Sequence, residues 1–383
     1  MPWKVINQMD LKNQLVTDHS QEHFSITDLS QKYGISRPTV YKWLMRHKQL
    51  GIEGLKEQSR APKSCPHRTP KKILNLVIQE KLKNRKRGPR KIRAQLKRHH
   101  PKLELPAVST IAYWLKKEGL VEQRKKRLHV PPYTEPFKNC NSPNAVWSVD
   151  YKGQFYTKDN HVCYPLTLSD NFSRFLLSCK ALPGPRYIPT KKALIATFRE
   201  YGLPDTIRSD NGTPFAGKGI GGLSRLSIWF IQLGIIPERI EKGCPQENGR
   251  HERMHRTLKN DALDPIAKNL KEQQKQFDIF RHDYNNDRPH ESLNDQTPSD
   301  CYKKSGRPYV EHPYPPEYGH DYIVRHVRHS GEIKFAGQTF YLAELLAGQP
   351  VGLKEVVDGL WQIRYSFCLL GSVDLRKNKI IRT

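Results

Sequence analysis

Apolar positions recur at helical spacing in the first third of the chain, run together in the middle, and alternate again towards the end. Residues 26–46 read ITDLSQKYGISRPTVYKWLMR, where one amphipathic segment stops at Gly34, and Ser36 with Pro38 opens a second. This pattern predicts a helix-turn-helix domain over residues 1–60.

On the second of these predicted helices, Val40, Trp43 and Leu44 lie on one face, which we expect to be buried in a core. Its other face carries polar and basic side chains of the types that contact base edges and phosphates, namely Arg37, Thr39, Lys42 and Arg46. A three-helix structural domain has the same apolar spacing, so the pattern alone leaves that alternative open.

A second pair of helices is predicted further along the chain. Residues 91–100 (KIRAQLKRHH) and 106–120 (PAVSTIAYWLKKEGL) each show helical periodicity, and Pro-rich segments at 58–70 and 130–143 flank them. We therefore predict a basic linker and a second, winged-helix-like helix-turn-helix domain over residues 61–139.

From residue 146 the pattern changes to apolar runs typical of strands. The first run ends at Asp150, and the next two flank a turn at Asp170. Helical segments follow, among them residues 269–286, so residues 140–305 predict a mixed α/β core.

The last segment, residues 306–383, alternates between turns such as Asp358-Gly359, which predicts a small β-barrel-like domain. The predicted fold class is therefore multidomain α/β with all-α N-terminal domains.

The net charge of the chain indicates the kind of partner it binds. The chain has 65 Lys and Arg against 38 Asp and Glu, and residues 1–139 hold 31 of these basic and 11 of these acidic residues. Such an excess favours a polyanionic partner. The densest run, residues 81–98, supplies Arg87, Arg90 and Lys91 as further candidates for DNA contact, and a second cluster occupies residues 124–127. A solvated surface helix is the alternative interpretation of any one such run.

Two classes of protein are disfavoured. No apolar stretch is long enough for a membrane span, and the first residues lack the apolar core of a signal peptide, so we expect a cytoplasmic protein without membrane contact. The seven cysteines are scattered without a C-x-x-C pair, which argues against a disulfide framework or a zinc module.

Three carboxylates form the candidate chemistry. Asp150 and Asp210 follow strand-like runs, and Glu252 lies near the start of a predicted helix. Convergent carboxylates suit Mg²⁺ or Mn²⁺, which prefer oxygen ligands. Most of the 38 acids must simply be solvated, so position alone does not single out any one of them.

Four motifs make the case stronger. In order, WSVDYKG, RSDNGTPF, GCPQENGRHERMHRTLK and YNNDRPHESLNDQTP resemble the catalytic core of insertion-sequence transposases of the retroviral-integrase superfamily, the DDE type with a ribonuclease-H-like fold. The resemblance covers roughly residues 146–302. It implies that Asp150, Asp210 and Glu252 are the catalytic acids and that they hold two Mg²⁺ or Mn²⁺ ions.

Two other acids compete for these roles. Asp170, in LSDNFSR, mimics the SDNG motif, but it falls where the family has a noncatalytic turn. Glu247 precedes the predicted helix in a loop, so its position is less fixed than that of Glu252.

The helix that carries Glu252 offers further candidates. Arg256 and Lys259 follow it at i+4 and i+7 and so share its face, where the resemblance implies contact with the scissile strand. A salt-bridged surface stripe is the alternative. His251 and His255 could contact DNA or the strand end, and neither is needed as a metal ligand.

Two loops depart from or complete the family pattern. Residues 216–227 are rich in glycine and lengthen the spacing between Asp210 and Glu252, which favours a mobile flap over the site. This loop lacks the Lys-Ser/Thr ending of a nucleotide loop, so we expect no ATP site. In RPHESL, Arg288 and His290 favour a turn that packs on the core rather than DNA contact.

Taken together, the resemblance implies a transposase that binds the terminal inverted repeats of its insertion sequence. It would catalyse Mg²⁺-dependent 3′-end cleavage and strand transfer into target DNA. The expected partners are double-stranded DNA, as transposon ends and target, and further copies of the chain when two ends are brought together, in the bacterial cytoplasm and on the nucleoid when DNA is bound. A DNA-binding regulator derived from a transposase and a metal-dependent nuclease without strand transfer are the alternatives.

Overall fold

The computed structural model describes residues 7–57, 69–121, 140–217, 220–241 and 249–382. The chain forms two compact units, Met1–Arg68 and Thr69–Thr383. Several predicted features lie outside the described residues: most of both Pro-rich segments, the basic cluster at 124–127, and Glu247. The predicted domain boundaries at 60, 139 and 305 stay predictions.

In its described residues, 7–57, the first unit forms the α-helices α1 (Gln8–Ser20), α2 (Ile26–Lys32) and α3 (Arg37–Leu50), followed by a short 3₁₀ helix (Gly51–Leu55). A capping box formed by Ser25 and Asp28 starts α2, and Gly34, with φ of 64°, makes the turn into α3. The predicted helix pair is confirmed, and Val40 and Trp43 lie in its core.

The second unit begins with another helical group, α4 (Lys71–Lys83), α5 (Pro89–His99) and α6 (Val108–Lys117). Its core contains Val77, Ile92, Leu96, Ile111 and Leu115, each at most 2% exposed. The helix pair predicted over 91–120 is confirmed as α5 and α6, and α4 packs beside it.

The α/β core follows. Its strands are β1 (Val146–Tyr151), β2 (Phe155–Tyr156), β3 (Val162–Asp170), β4 (Leu176–Leu182), β5 (Thr206–Ser209) and β6 (Ile236–Arg239). Its helices are α7 (Tyr187–Tyr201), α8 (Arg225–Gln232), α9 (Gly249–Ala262), α10 (Leu270–Asn286) and α11 (Pro298–Cys301). Strand β3 pairs antiparallel with β1 and β4, whereas β5 pairs parallel with β1 and with β6. The short β2 pairs with the start of β3.

Helices cover both faces of this sheet. Trp147 and Val149 of β1 pack with α7 and α8, whereas α9 and α10 pack against residues such as Cys163 and Leu176 on the other side. Because side chains alternate along a strand, Asp150 belongs to the face that α9 covers.

The C-terminal part is built from β7 (Ile323–His326), β8 (Glu332–Phe335), β9 (Gln338–Tyr341), β10 (Pro350–Val357), β11 (Leu360–Tyr365), β12 (Cys368–Asp374) and β13 (Lys379–Arg382). Five of these form an antiparallel sheet in the order β13-β12-β11-β10-β7, and β8 with β9 forms a separate hairpin. Within the described strands the sheet and the hairpin share no strand pairing, so the β-rich character is confirmed and the closed barrel is not.

The Gly-rich segment differs from its prediction. Ile220 and Leu223 are 2% and 7% exposed and lie in the hydrophobic core of the C-terminal sheet. The amide of Gly217 donates to the carbonyl of Gly222 at 3.0 Å. In its described residues this segment is therefore an anchored connection rather than a mobile flap, because its apolar residues find partners more than 100 positions away along the chain.

No helix in the described part of the chain has both the length and the apolar character needed to cross a membrane.

Candidate active site and DNA-binding surfaces

The first two predicted acids are brought together by strand register. In the parallel pair β1 and β5, Val149 lies opposite Ser209. Asp150 is the next residue of β1 and Asp210 directly follows β5, so both lie at the carboxyl ends of neighbouring strands, whose axes are about 4.8 Å apart. Open α/β sheets generally place their ligand sites at this edge.

The loop after β5 makes room for the second carboxylate. A Cβ at Gly212 would lie 2.8 Å from Oδ2 of Asp210, so a residue with a side chain would displace this oxygen. The side-chain amide of Asn211 donates to the carbonyl of Ile240 at 2.7 Å and ties the loop to the end of β6. These contacts explain why Asp is followed by Asn and Gly.

Glu252 lies in the first turn of α9 and is exposed, as are Arg256 and Lys259. The opposite face of α9 buries Met254 and Leu258. The predicted common face for the acid and the two cations is therefore confirmed as an exposed face, whereas its contact with DNA stays a prediction.

Two histidines attach the same turn of α9 to the aspartate strands. Nε2 of His251 and Nε2 of His255 each lie 2.7 Å from Oγ1 of Thr167. Thr167 is the cross-strand partner of Asp150 on β3. The turn that carries Glu252 thus packs directly over the strand pair that carries Asp150.

Burial determines the charge of these histidines. They are 2% and 7% exposed, and this burial lowers the pKa of His251 to about 3 and that of His255 to about 2, so both rings are neutral at pH 7. The suggestion that they contact DNA is therefore wrong. Their spacing of four residues, in phase with the buried Met254 and Leu258, is the sequence signal for this inward face.

The donor set fits a divalent cation. One ligand atom each from Asp150, His251 and His255 lies within 4.8 Å of the others. Asp210, at the end of the neighbouring strand β5, and Glu252 are described residues that lie outside this group. The carboxylate of Asp150 is a ligand of the kind that Mg²⁺ and Mn²⁺ prefer, and the imidazole nitrogens suit transition metals better than Mg²⁺.

The competing acid Asp170 has a different role. Its carboxylate accepts the amides of Asn144 at 2.9 Å and Ser173 at 2.7 Å, and it is 1% exposed. Burial raises its pKa, and these hydrogen bonds oppose that shift. Asp170 therefore closes the turn after β3.

The RPHESL motif packs on the core as predicted. Nη1 of Arg288 donates to Oδ2 of Asp261 in α9 at 2.6 Å, and the His290 ring meets the Tyr284 ring edge to face at 4.8 Å. Both side chains are thereby engaged within the core.

In the N-terminal unit, Arg37 and Lys42 on α3 are exposed, and Thr39 and Arg46 are half-buried. The hydroxyl of Thr39 lies 2.8 Å from that of Ser36 at the start of the helix. The described geometry leaves the two exposed cations available to DNA, and contact of all four residues with DNA stays a prediction.

The basic run of the second helical group requires a correction. Arg87 is 2% exposed, and its Nη2 lies 2.8 and 2.9 Å from the two carboxylate oxygens of Asp283. Its Nη1 is 3.3 Å from Oδ2 of Asp287 and also bonds Gln95. Arg87 therefore fastens the helical group to α10 and is not placed to contact a phosphate.

The other two candidates, Arg90 and Lys91, also interact with the core or are partly buried. Nη1 of Arg90 lies 2.6 Å from Oε1 of Glu291, although half of its side chain remains exposed. Burial, with the nearby cations Arg288 and Arg87, lowers the pKa of Lys91 to about 8. Sequence alone does not show that Arg87 and Arg90 are paired, because their acidic partners lie about 200 residues away.

Comparison with known families agrees with this architecture. Residues 233–298 match the family described as Integrase core domain. Residues 14–63 match Helix-turn-helix domain, and residues 39–115 match Homeodomain-like domain. The integrase-core match contains Glu252 and neither of the two aspartates.

Individual relatives point the same way. The chain is 27% identical over 186 residues to the insertion element IS407 uncharacterized 31.7 kDa protein of Burkholderia multivorans, which covers 48% of this chain and 64% of that protein. It is 32% identical over 121 residues to the Gag-Pol polyprotein of baboon endogenous virus, covering 31% of this chain and 6% of the polyprotein. The match thus spans less than two thirds of either relative. The solved HTLV-2 integrase catalytic core domain in complex with magnesium has a TM-score of 0.35 at 18% identity, covering 43% of this chain and 99% of that chain.

An integrase-core match lies over α9 and α10, helix-turn-helix matches lie over the N-terminal helices, and an insertion-element protein is similar over almost half of the chain. These matches support an insertion-sequence transposase of the DDE/retroviral integrase superfamily.

Proposed function

We propose that this protein binds the terminal inverted repeats of its insertion sequence and catalyses Mg²⁺-dependent 3′-end cleavage and strand transfer into target DNA. The observation that carries the proposal is the register of β1 and β5, which brings Asp150 and Asp210 to the carboxyl ends of neighbouring strands.

In this proposal Asp150, Asp210 and Glu252 hold two divalent cations. Such cations, when bound, activate an oxygen nucleophile and stabilise the leaving oxygen of a phosphodiester without a covalent protein intermediate. The neutral His251 and His255 fix α9, the helix that carries Glu252, against Thr167, which is the cross-strand partner of Asp150. Exposed Arg256 and Lys259 would hold the scissile strand on the same face.

Two displacements at phosphorus complete the reaction. In the first, water attacks the phosphorus at the element end, the bond from phosphorus to the 3′ oxygen breaks, and a free 3′-hydroxyl and a 5′-phosphate result. In the second, this 3′-hydroxyl attacks a phosphodiester of the target, a new bond to phosphorus forms, and the target strand leaves with its own 3′-hydroxyl. Two element ends in one complex would require more than one copy of the chain.

Recognition of the ends would come from α3, whose Arg37 and Lys42 are exposed, and from the second helical group. Phosphate contacts supply most of the affinity in such complexes, whereas few base contacts supply the sequence preference.

The test uses the full chain, duplexes that end in the inverted repeats flanking its gene, a supercoiled target plasmid and MgCl₂. We expect nicked ends followed by joined products. Asp150→Asn, Asp210→Asn and Glu252→Gln should each reduce cleavage by at least about 100-fold while end binding, measured by gel shift, is retained.

The exposed Asp278 on α10 provides a matched control, and Asp278→Asn should cleave like the wild type. Cleavage without joining would favour a nuclease, and binding without cleavage would favour a regulator. Undiminished cleavage by Asp150→Asn would refute the assignment of the site.

A further inference from the structure

The hydroxyl of Thr167 lies at the centre of three contacts. It donates to the backbone carbonyl of Asp150 at 3.1 Å, and it lies 2.7 Å from Nε2 of both His251 and His255. A hydroxyl has one proton and two lone pairs. With the proton given to the carbonyl, both lone pairs accept, so both imidazoles carry their proton on Nε2.

This tautomer leaves Nδ1 of each ring with a lone pair. Nδ1 of His251 lies 3.1 Å from the hydroxyl of Ser169, which can donate to it. Nδ1 of His255 instead faces Oδ2 of Asp150 at 3.9 Å, beyond hydrogen-bond distance. In the described part of the chain Thr167 is the hydrogen-bond partner of His255, and its Nδ1 makes no hydrogen bond.

Both atoms carry a lone pair, so a cation between them would be stabilised by each. Two ligand atoms each about 2.1 Å from one ion can lie at most about 4.2 Å apart, so the observed 3.9 Å is within reach of a shared cation.

We propose that Nδ1 of His255 is a ligand of the divalent cation bound by Asp150. This proposal rests on the proposed function, since it takes Asp150 as a cation ligand. Thr167 positions the ring through Nε2, as outer partners of histidine ligands commonly do. A nitrogen ligand makes the site favour Mn²⁺ over Mg²⁺ more strongly than carboxylates alone would.

The first measurement needs no variant. The full chain is loaded with one equivalent of Mn²⁺, and electron spin-echo envelope modulation is recorded at natural abundance and with ¹⁵N-labelled histidine. We expect ¹⁴N modulation that gives way to ¹⁵N modulation on labelling. A Mn²⁺-loaded protein without histidine nitrogen coupling would overturn the proposal.

The second measurement assigns the nitrogen. His255→Asn should remove the coupling and raise the Kd for Mn²⁺ about tenfold, while the Kd for Mg²⁺ changes less than about threefold. His282→Asn, at an exposed position of α10, is the control and should keep the coupling. If His255→Asn does not fold by circular dichroism, His255→Gln replaces it. Nitrogen coupling that persists in the folded variant would contradict the assignment.

A third variant separates this idea from the proposed function. Asp150→Asn should abolish tight Mn²⁺ binding. If it binds Mn²⁺ like the wild type, the proposed catalytic site is wrong. If it loses binding and the wild type shows no nitrogen coupling, the catalytic site stands and only the role of His255 is refuted.

Discussion

Replacing Arg87 with Ala tests whether this residue of the basic run stabilises the folded protein or contacts DNA. The substitution removes a guanidinium that contacts Asp283, Asp287 and Gln95. Two acidic side chains at the end of α10 then remain close together without this cation, and the second helical group loses its most deeply buried ion pair with the core.

The size of the effect follows from burial. Breaking a fully buried ion pair costs about 3–5 kcal/mol, whereas exposed pairs contribute at most about 1 kcal/mol. Arg87 is 2% exposed, but the carboxylates of Asp283 and Asp287 are 34% and 31% exposed and are partly screened by water. We therefore expect a loss of about 2 kcal/mol in the free energy of unfolding.

This loss should depend on pH. Burial raises the pKa of Asp283, and Arg87 opposes that shift. A carboxyl with a raised folded pKa favours the folded state while it is protonated, and this contribution disappears as the pH rises through the folded pKa. Without Arg87 the ionised carboxylate is uncompensated, so the destabilisation should be largest at pH 7 and smaller at pH 5.

The assay is urea unfolding of the full chain, followed by tryptophan fluorescence at both pH values, together with DNA binding at several salt concentrations. Arg85→Ala removes the same charge from an exposed position two residues away and serves as the control. Two results together would refute the reasoning. Arg87→Ala would unfold at the same urea concentration as Arg85→Ala, and Arg87→Ala would bind DNA many-fold more weakly than Arg85→Ala.

Three further predictions concern the site, the anchored segment and DNA affinity. Gly212→Ala should displace the Asp210 carboxylate and lower Mg²⁺-dependent cleavage at least about tenfold with little change in unfolding, whereas Gly306→Ala, with nothing within 4 Å, should have no effect on cleavage. Leu223→Ala should cost about 2–4 kcal/mol in thermal unfolding measured by calorimetry, because it opens a cavity in the C-terminal core, and a change below about 0.5 kcal/mol would mean that the segment is loose. For about six phosphate contacts, log affinity for DNA should fall with log salt at a slope of about −5, and a slope near zero in fluorescence anisotropy would rule out charge-driven binding.

The sequence determined the elements and the order of the acids. Apolar periodicity predicted the helices of both N-terminal groups, and strand-like runs that end at Asp150 and Asp210 predicted acids at strand exits. These inferences succeed because they depend on local spacing, and because the carboxyl ends of parallel strands meet at one edge of a sheet. The phase of α9 likewise put Glu252, Arg256 and Lys259 on one face.

Only the tertiary structure decided which polar side chains bond to other parts of the same chain. Thr167 meets His251 and His255 across 84 and 88 residues, and Arg87 meets Asp283 across 196. A basic or imidazole side chain with polar neighbours in the sequence is predicted to be exposed. Its hydrogen-bond partner in the folded protein is distant in the sequence, so the local pattern does not reveal it. Folding buries each of these side chains and brings it to its partner at the same time. Burial keeps the two histidines neutral, and the ion pairs of Arg87 with α10 leave it unable to contact DNA.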